Sequence, residues 1–493
     1  MTEINTINKQ LKKLGYFTNT IDSIKKKDTL YIAFFSLGKQ VKKATITLPN
    51  EIDLSNSYFR VNKKITHIDI YKIEELLKKI THQLEQKGYS FAEVGLKNIL
   101  QRKDTLFAEV TIQKTKKRFV DKIIIKGYDK ISASYIKRFL KINKKTVFNL
   151  HKIKEISKNI QTLDFISEIK PPEILFSKDS TFLYIYLKKE ISNSFDGFLN
   201  FSSNRDSKGI QANGYLDLSF KNLFHRGESF QLAWNNNDEN RQELSIKKEI
   251  PFIFNSPLSS KASFTIYKQD STFLNTSFKE EISYFFNSRK SASFFISTEK
   301  STNLTEEEST TTIKTFNNFF IGSIFTYNTQ LFYLTISSSI GKRTSLVTKT
   351  SQLKFNLTSS YLWLIDFKNS FYIKSNNGFL ISNSILTNEL FRVGGLNSFR
   401  GVNEQSIFTP KFSFFNTEYR YKTSLTSYLH SISDFGFFTN PSKEARFLLS
   451  LGVGYSFKKN NNLLNIGYIT SNYLSKQNPF KNPRLTIKWI SYF

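Results

Sequence analysis

From Phe195 to the terminal Phe493 the chain is written in a period of two. Within Arg446–Phe457 the side chains of Leu449, Leu451, Val453, Tyr455 and Phe457 fall on one side of an extended backbone, and Ser450, Gly452, Gly454 and Ser456 on the other. Leu216, Leu218 and Phe220 stand opposite Asp217 and Ser219 in the same way, and Phe230–Trp234 repeats the rule. Strands apolar on one face and small or polar on the other suit a barrel with lipid outside and water inside. Aromatics make up 15% of residues while mean hydropathy is only −0.35. No run approaches the ~18 apolar residues of a spanning helix, which excludes a helical membrane protein. About 300 residues, at roughly 18 to 19 per strand and connection, give about sixteen antiparallel strands, an even number that closes without an edge exposed to lipid. A soluble β-sandwich fits the same alternation.

Residues before about 190 follow another rhythm. Ile4, Ile7, Leu11 and Leu14 keep helical spacing up to Gly15, and strand-like runs follow at Ile21–Ile24 and Leu30–Phe35. The order returns in Ile73, Leu76, Leu77, Ile80 and Leu84, closed by Gly88-Tyr89 and followed by Leu96–Leu100 and Leu106–Ile112. A third copy runs from Val120–Ile125 through helical stretches Ser134–Leu140 and Leu150–Leu163 to Ile174–Phe176 and Phe182–Leu187. This is a repeated small β-α-α-β-β unit. The units resemble polypeptide-transport-associated (POTRA) domains, with Lys122–Tyr128 similar to the opening strand that ends in glycine. The expected divisions are 1–38, the C-terminal part of a truncated POTRA domain; POTRA domains at 39–116 and 117–191; and a transmembrane barrel at 192–493. The first copy holds only the second helix and the final strands, so the chain is expected to begin inside a domain, downstream of a missing signal sequence.

Catalytic chemistry has little to work with. The chain has no cysteine and five histidines, which removes disulfides, thiolate catalysis and cysteine-ligated metals. The paired carboxylates Glu307-Glu308 sit in a polar Thr/Glu/Ser stretch that reads as a loop. Neither an enzyme, a metal site nor a cofactor is expected. The formal charge is +30, and 38 of the 71 basic and 20 of the 41 acidic residues lie in 1–190, so that part carries +18 and the rest +12. The lysines are dispersed rather than clustered, as on a solvated surface, so no nucleic-acid partner is expected.

One stretch of the second half breaks the alternation. Phe391-Arg392-Val393-Gly394-Gly395-Leu396-Asn397-Ser398-Phe399-Arg400-Gly401 puts Arg400 at the tip of a glycine-hinged loop. Before it comes Asn222-Leu223-Phe224-His225-Arg226-Gly227-Glu228, and after it Asn416-Thr417-Glu418-Tyr419-Arg420-Tyr421 and Ser433-Asp434-Phe435-Gly436-Phe437. If Tyr419, Tyr421, Phe435 and Phe437 face lipid, Glu418 and Asp434 face the lumen, as buried charge requires. On its own terms the stretch is a hairpin with an exposed arginine, or the two acids merely line a wet lumen.

In order and spacing these stretches resemble the motifs of the outer-membrane assembly and two-partner-secretion superfamily, the bacterial surface antigen family of barrels. The chain is most similar to the barrel subunit of the translocation and assembly module. The resemblance implies α+β POTRA repeats followed by an all-β barrel of about sixteen strands in the bacterial outer membrane, with the POTRA domains in the periplasm. It implies that Arg400, beside Gly401, Gly394 and Gly395, folds back into the lumen and is held by Glu418 and Asp434. The usual aromatic after the glycine is replaced by Val402. Leu485, Ile487, Trp489 and Phe493 share one face of the last segment, and an aromatic terminus with Trp489 and Phe493 resembles the signal read by barrel-insertion machinery. The implied partners are unfolded outer-membrane or exported proteins, outer-membrane lipids and a periplasm-spanning subunit. Insertion at a weak seam between first and last strands is implied, with Gly197, Asn200 and Ser202 offering thin packing there. A two-partner secretion pore for a dedicated exoprotein is the alternative, and a passive porin-like channel is the alternative of another class.

Overall fold

The computed structural model describes residues 2–27, 30–54, 59, 61–62, 64–204, 209–237, 241–305, 312–346, 348–441, 444–473 and 483–493. Glu307-Glu308 and the side chains of Asn200 and Ser202 lie outside the described residues. Contacts divide the chain into Met1–Ile124, Ile142–Ser157 and Pro172–Tyr184 on one side, and Ile125–Lys141, Lys158–Pro171 and Ile185–Phe493 on the other.

In the first unit, helix Thr2–Lys13 precedes a hairpin of Thr20–Lys27 and Leu30–Ser36. Next comes a five-stranded sheet ordered Val61–Asn62, Ile65–Asp69, Lys43–Thr47, Thr105–Gln113, Glu93–Arg102. Helix Ile73–Gln86 buries Leu76, Ile80 and Leu84, the stripe its spacing predicts, in a core with Ala44, Ile46, Leu106 and Val110. This second repeat departs from the expected β-α-α-β-β order. Where a first helix is expected, Ile65–Asp69 runs antiparallel to Lys43–Thr47. The cause is local, because Ile65-Thr66-His67-Ile68-Asp69-Ile70 alternates with period two and buries Thr66, Ile68 and Ile70.

The third repeat has strands Lys122–Lys126, Ile166–Phe176 and Thr181–Lys189, with the third between the other two, and helices Ala133–Phe139 and Leu150–Ile160. Strand Ile166–Phe176 starts well before the expected Ile174. Pro171 and Pro172 mask it in the sequence, and an edge strand tolerates prolines because one row of its N–H groups is not needed for pairing.

The second unit is dominated by a closed barrel of sixteen strands, each antiparallel to the next. In chain order they are β1 Ser194–Asn204, β2 Gly209–Lys221, β3 Ser229–Asn237, β4 Arg241–Ile253, β5 Leu258–Gln269, β6 Phe273–Phe285, β7 Lys290–Asn303 and β8 Phe316–Asn328. Then follow β9 Phe332–Ser345, β10 Lys349–Leu364, β11 Asn369–Ser382, β12 Lys411–Lys422, β13 Ser427–Thr439, β14 Ala445–Lys459, β15 Asn462–Ser471 and β16 Arg484–Tyr492. The alternation is realised as a wall. Leu451, Val453 and Tyr455 are exposed on the outside, whereas Ser450 and Ser456 are buried inside. Closure is uneven. β1 pairs with β2 along its whole length, but meets β16 only at Ser194 with Tyr492 and Phe195 with Ser491. Beside those pairs, the Phe493 amide donates to the Asn193 carbonyl at 2.9 Å, and its ring stands edge-on to Phe220 at 6.1 Å. Trp489 lies on the outer face.

The turn Asn222–Glu228 joins β2 to β3 and is folded on itself. The Gly227 amide donates to Asn222 Oδ1 at 2.8 Å, and the Arg226 amide to Glu228 Oε2 at 3.0 Å. Its outer side meets residues 125–141 of the same unit. The Ser132 amide donates to the His225 carbonyl at 2.8 Å, Tyr128 Oη lies 2.7 Å from His225 Nδ1, and Asn222 Nδ2 donates to Tyr128 Oη at 3.2 Å. Tyr135 packs on Phe252 beside it, and burial pushes its phenol above the ordinary range.

Candidate functional site

The long connection between β11 and β12 does not leave the barrel as a plain hairpin. It makes a helical turn at Thr387–Glu389 and a ribbon of Phe391–Val393 with Ile407–Thr409. Val393, Phe399, Val402 and Ile407 then pack with Phe412 and Phe414 of β12, Phe438 of β13 and Leu448 of β14. Phe399 is fully buried, 5.0 Å from the Phe414 ring. Val402, which stands where the resemblance calls for an aromatic, is absorbed into this cluster. Burial of this apolar set holds the loop inward before any charge is considered.

At the tip the structure brings Arg400, Glu418 and Asp434 together. Arg400 Nε donates to Asp434 Oδ2 at 2.9 Å and Nη2 to Oδ1 at 2.6 Å, a two-pronged pairing. Nη1 donates to Glu418 Oε1, and the Arg400 amide itself donates to Asp434 Oδ2 at 3.0 Å. Asp434 has no exposed surface. Asn416 Nδ2 bridges Asp434 Oδ2 and the Ser398 carbonyl at 2.8 and 2.9 Å. Glu418 is shared with Arg420, whose Nε lies 2.7 Å from Oε2. The backbone is fixed as well, since Ser450 of β14 donates to the Arg400 carbonyl at 2.6 Å and Ser471 of β15 to that of Gly401 at 2.8 Å. Opposite charges at hydrogen-bond distance, with every guanidinium nitrogen used, offset much of the cost of removing them from water.

Three glycines make this approach possible. Gly401 has φ +82°, and a Cβ there would sit 2.9 Å from Ser450 Oγ and 3.0 Å from Ile469 Cγ2. Gly394, at φ +115°, would bring a Cβ within 2.4 Å of the Asn403 carbonyl oxygen. Gly395 follows at φ +93°. Gly401→Ala is therefore expected to pull the tip off the wall, at a cost of about 1–3 kcal/mol from the left-handed backbone alone. Protease sensitivity of the loop in folded barrels, rising several-fold over the parent, checks this.

A second cluster, which sequence reasoning missed, holds the opposite limb. Glu389 Oε1 accepts from Arg343 Nη1 of β9 at 2.5 Å, with both side chains almost fully buried. Gln352 of β10 donates to Glu389 Oε2 at 2.7 Å, and Arg343 Nη2 to Ser384 Oγ at 2.7 Å. The neighbouring Asn388 donates to Ser301 Oγ of β7 at 2.6 Å and to the Lys314 carbonyl at 2.8 Å, and its own carbonyl accepts from Asn275 of β6 at 2.7 Å. Strand parity could place Arg343 inside the barrel, but Asn388 and Glu389 lie in a loop with no period to read. Among the described residues no group of acids and histidines could hold a metal ion.

No protein-family model and no curated protein matches the chain. Solved structures do. CdiB from Acinetobacter baumannii superposes with a TM-score of 0.58 over 100% of this chain and 97% of its own, at 14% identity. CdiB from Escherichia coli gives 0.58 over 99% and 96%, at 13% identity. BamA from Haemophilus ducreyi lacking POTRA domains 1–3 gives 0.47 over 86% and 93%, at 13% identity. The architecture of small α/β units followed by a closed sixteen-stranded barrel is thus a fold this chain shares, along its whole length, with the two CdiB proteins.

Proposed function

We propose that the chain is an outer-membrane barrel that passes unfolded polypeptides into or across the membrane, with its POTRA-like units in the periplasm. The observation that carries this reading is the loop folded into the lumen, with Arg400 clamped between Asp434 and Glu418. A passive pore has no need of a charged clamp. The expected domains, 1–38, 39–116, 117–191 and 192–493, belong to the same proposal. Strand Ile166–Phe176 lies at the edge of its sheet, a position where an unfolded client could add a strand, a mode that demands little of client sequence. The short β1–β16 contact supports a seam where a nascent strand pairs before release into lipid. Trp489 and Phe493 are the proposed insertion signal of the chain itself. A periplasm-spanning subunit remains a proposed partner.

A secretion pore for one exported client is the second reading. It is favoured by the position of the clamp, which lies inside the lumen rather than on the seam. The deciding experiment dilutes a urea-unfolded barrel protein into vesicles carrying the purified chain and follows its heat-modifiable gel mobility. Folding several-fold faster than in empty vesicles supports insertion. Equal rates would overturn it in favour of secretion or a porin.

A further inference from the structure

Among the described residues two buried ion-pair clusters tie the loop to the wall, and the two share no residue; Glu404 and Gln405 also bond Arg241 and Glu243 of β4, Asn397 bonds Lys374 of β11, and Asn403 bonds Arg484 of β16. Arg400 is held by β12 and β13, with backbone contacts to β14 and β15. Glu389 and Asn388 are held by β6, β7, β9 and β10. The two clusters are carried by different strands of the wall, and the segment between residues 389 and 400 joins them. Freeing Arg400 removes only the ion pair on the limb that leads to β12, which Glu404 and Gln405 still join to β4. The limb that leaves β11 stays pinned by a buried ion pair, and a buried charge does not part readily from the one counter-charge it has among the described residues.

We propose that Glu389 is a second positioning residue, and that the lumen opens fully only when the Arg343–Glu389 and Arg400–Asp434 ties are both released. This rests on the reading that the loop controls passage. The two ties are unequal in quality. Every guanidinium nitrogen of Arg400 has an acceptor, whereas Arg343 Nε, Gln352 Oε1 and Asn388 Oδ1 are buried without a protein partner. The Glu389 tie is the weaker one. The pair also has a chemical handle beside it. Thr312 Oγ1 and Thr387 Oγ1 are 2.5 Å apart, and the Thr387 amide donates to the Thr312 carbonyl at 3.0 Å. The chain has no cysteine of its own, so Thr312→Cys with Thr387→Cys can staple this limb without competing thiols.

The test is conductance of the full chain in planar bilayers, for Glu389→Gln, Arg400→Ala and the double variant, each confirmed as a heat-modifiable barrel. Two independent ties predict that each single variant raises mean conductance by about threefold, and the double by about tenfold or more. Oxidising the Thr312→Cys/Thr387→Cys staple in the double variant should return conductance to the Arg400→Ala level, and reductant should reverse this. If Glu389→Gln equals the parent and the double equals Arg400→Ala, the second tie is overturned while the first stands. If Arg400→Ala and the double both equal the parent, the loop does not control passage, and both readings fall. Should Glu389→Gln fail to give a folded barrel, Gln352→Met keeps the ion pair and removes one bond to Glu389. A smaller rise is then expected, and no rise in either background overturns the proposal.

Discussion

Arg400→Ala is expected to free the loop tip while the barrel stays closed, and to do so more strongly than substitution of either acid that Arg400 touches. Removing the cation strands Asp434, which has no exposed surface and whose only cationic partner among the described residues is Arg400. Breaking a buried pair from one side costs about 3–5 kcal/mol, because the remaining charge must be hydrated or neutralised. The loop is the movable partner, so the cost is relieved by letting water reach Asp434. At about 1.4 kcal/mol per decade, the released population rises by roughly a hundredfold or more. The two acids differ. Glu418 keeps Arg420 when Arg400 is gone, so Glu418→Gln should have the smaller effect and Asp434→Asn should approach Arg400→Ala. The readouts are limited proteolysis of the loop and bilayer conductance, with heat-modifiable mobility showing that the wall is intact. An Arg400→Ala loop as protected as the parent's would mean that the apolar cluster around Phe399 and the loop's other contacts hold it without the clamp.

How much of this could be read from the chain depends on whether a residue sits in a periodic element. Glu418 and Asp434 could be placed on the inner wall because each precedes an aromatic that lipid claims, and two residues on, Tyr421 and Phe437 repeat the choice. Which cation they meet could not be read that way. Arg400 reaches them through a loop, and only the resemblance of the glycine-hinged stretch supplied the pairing. Glu389 had no such help. The apolar runs of the third repeat located its helices, but Pro171-Pro172 hid the first half of strand Ile166–Phe176, since what makes prolines acceptable there is the edge position, a property of the sheet. In the second repeat, Ile65–Asp69 alternates plainly, and the strand it forms stands where a repeated β-α-α-β-β unit would place its first helix.

The seam was implied by the resemblance and not by the alternation, because β16 alternates as regularly as its neighbours, with Leu485, Ile487 and Trp489 outward. Only the register exposes it. β15 and β16 pair from Asn462 with Ser491 to Ile469 with Arg484, while β16 and β1 share two residue pairs and the Phe493–Asn193 bond. At about 1 kcal/mol net per hydrogen bond, separating β1 from β16 costs only a few kcal/mol, far less than parting any neighbouring pair of strands. Tying the seam should therefore be the most damaging change if clients leave through it. Phe195→Cys with Ser491→Cys places thiols on register partners of the outer face, in a chain without other cysteines. Under oxidising conditions client insertion is expected to fall by about tenfold or more, since a disulfide removes the separation that a few kcal/mol otherwise permits, and reductant should restore it. Conductance through the lumen should not change, because Phe195 and Ser491 lie on the outer face and the Arg400 and Glu389 ion pairs are carried by other strands. Insertion that survives the disulfide would remove the seam from the mechanism and leave the lumen as the route. The same pair of variants then separates the two readings of the protein, because a secretion pore needs its loop to move and not its seam.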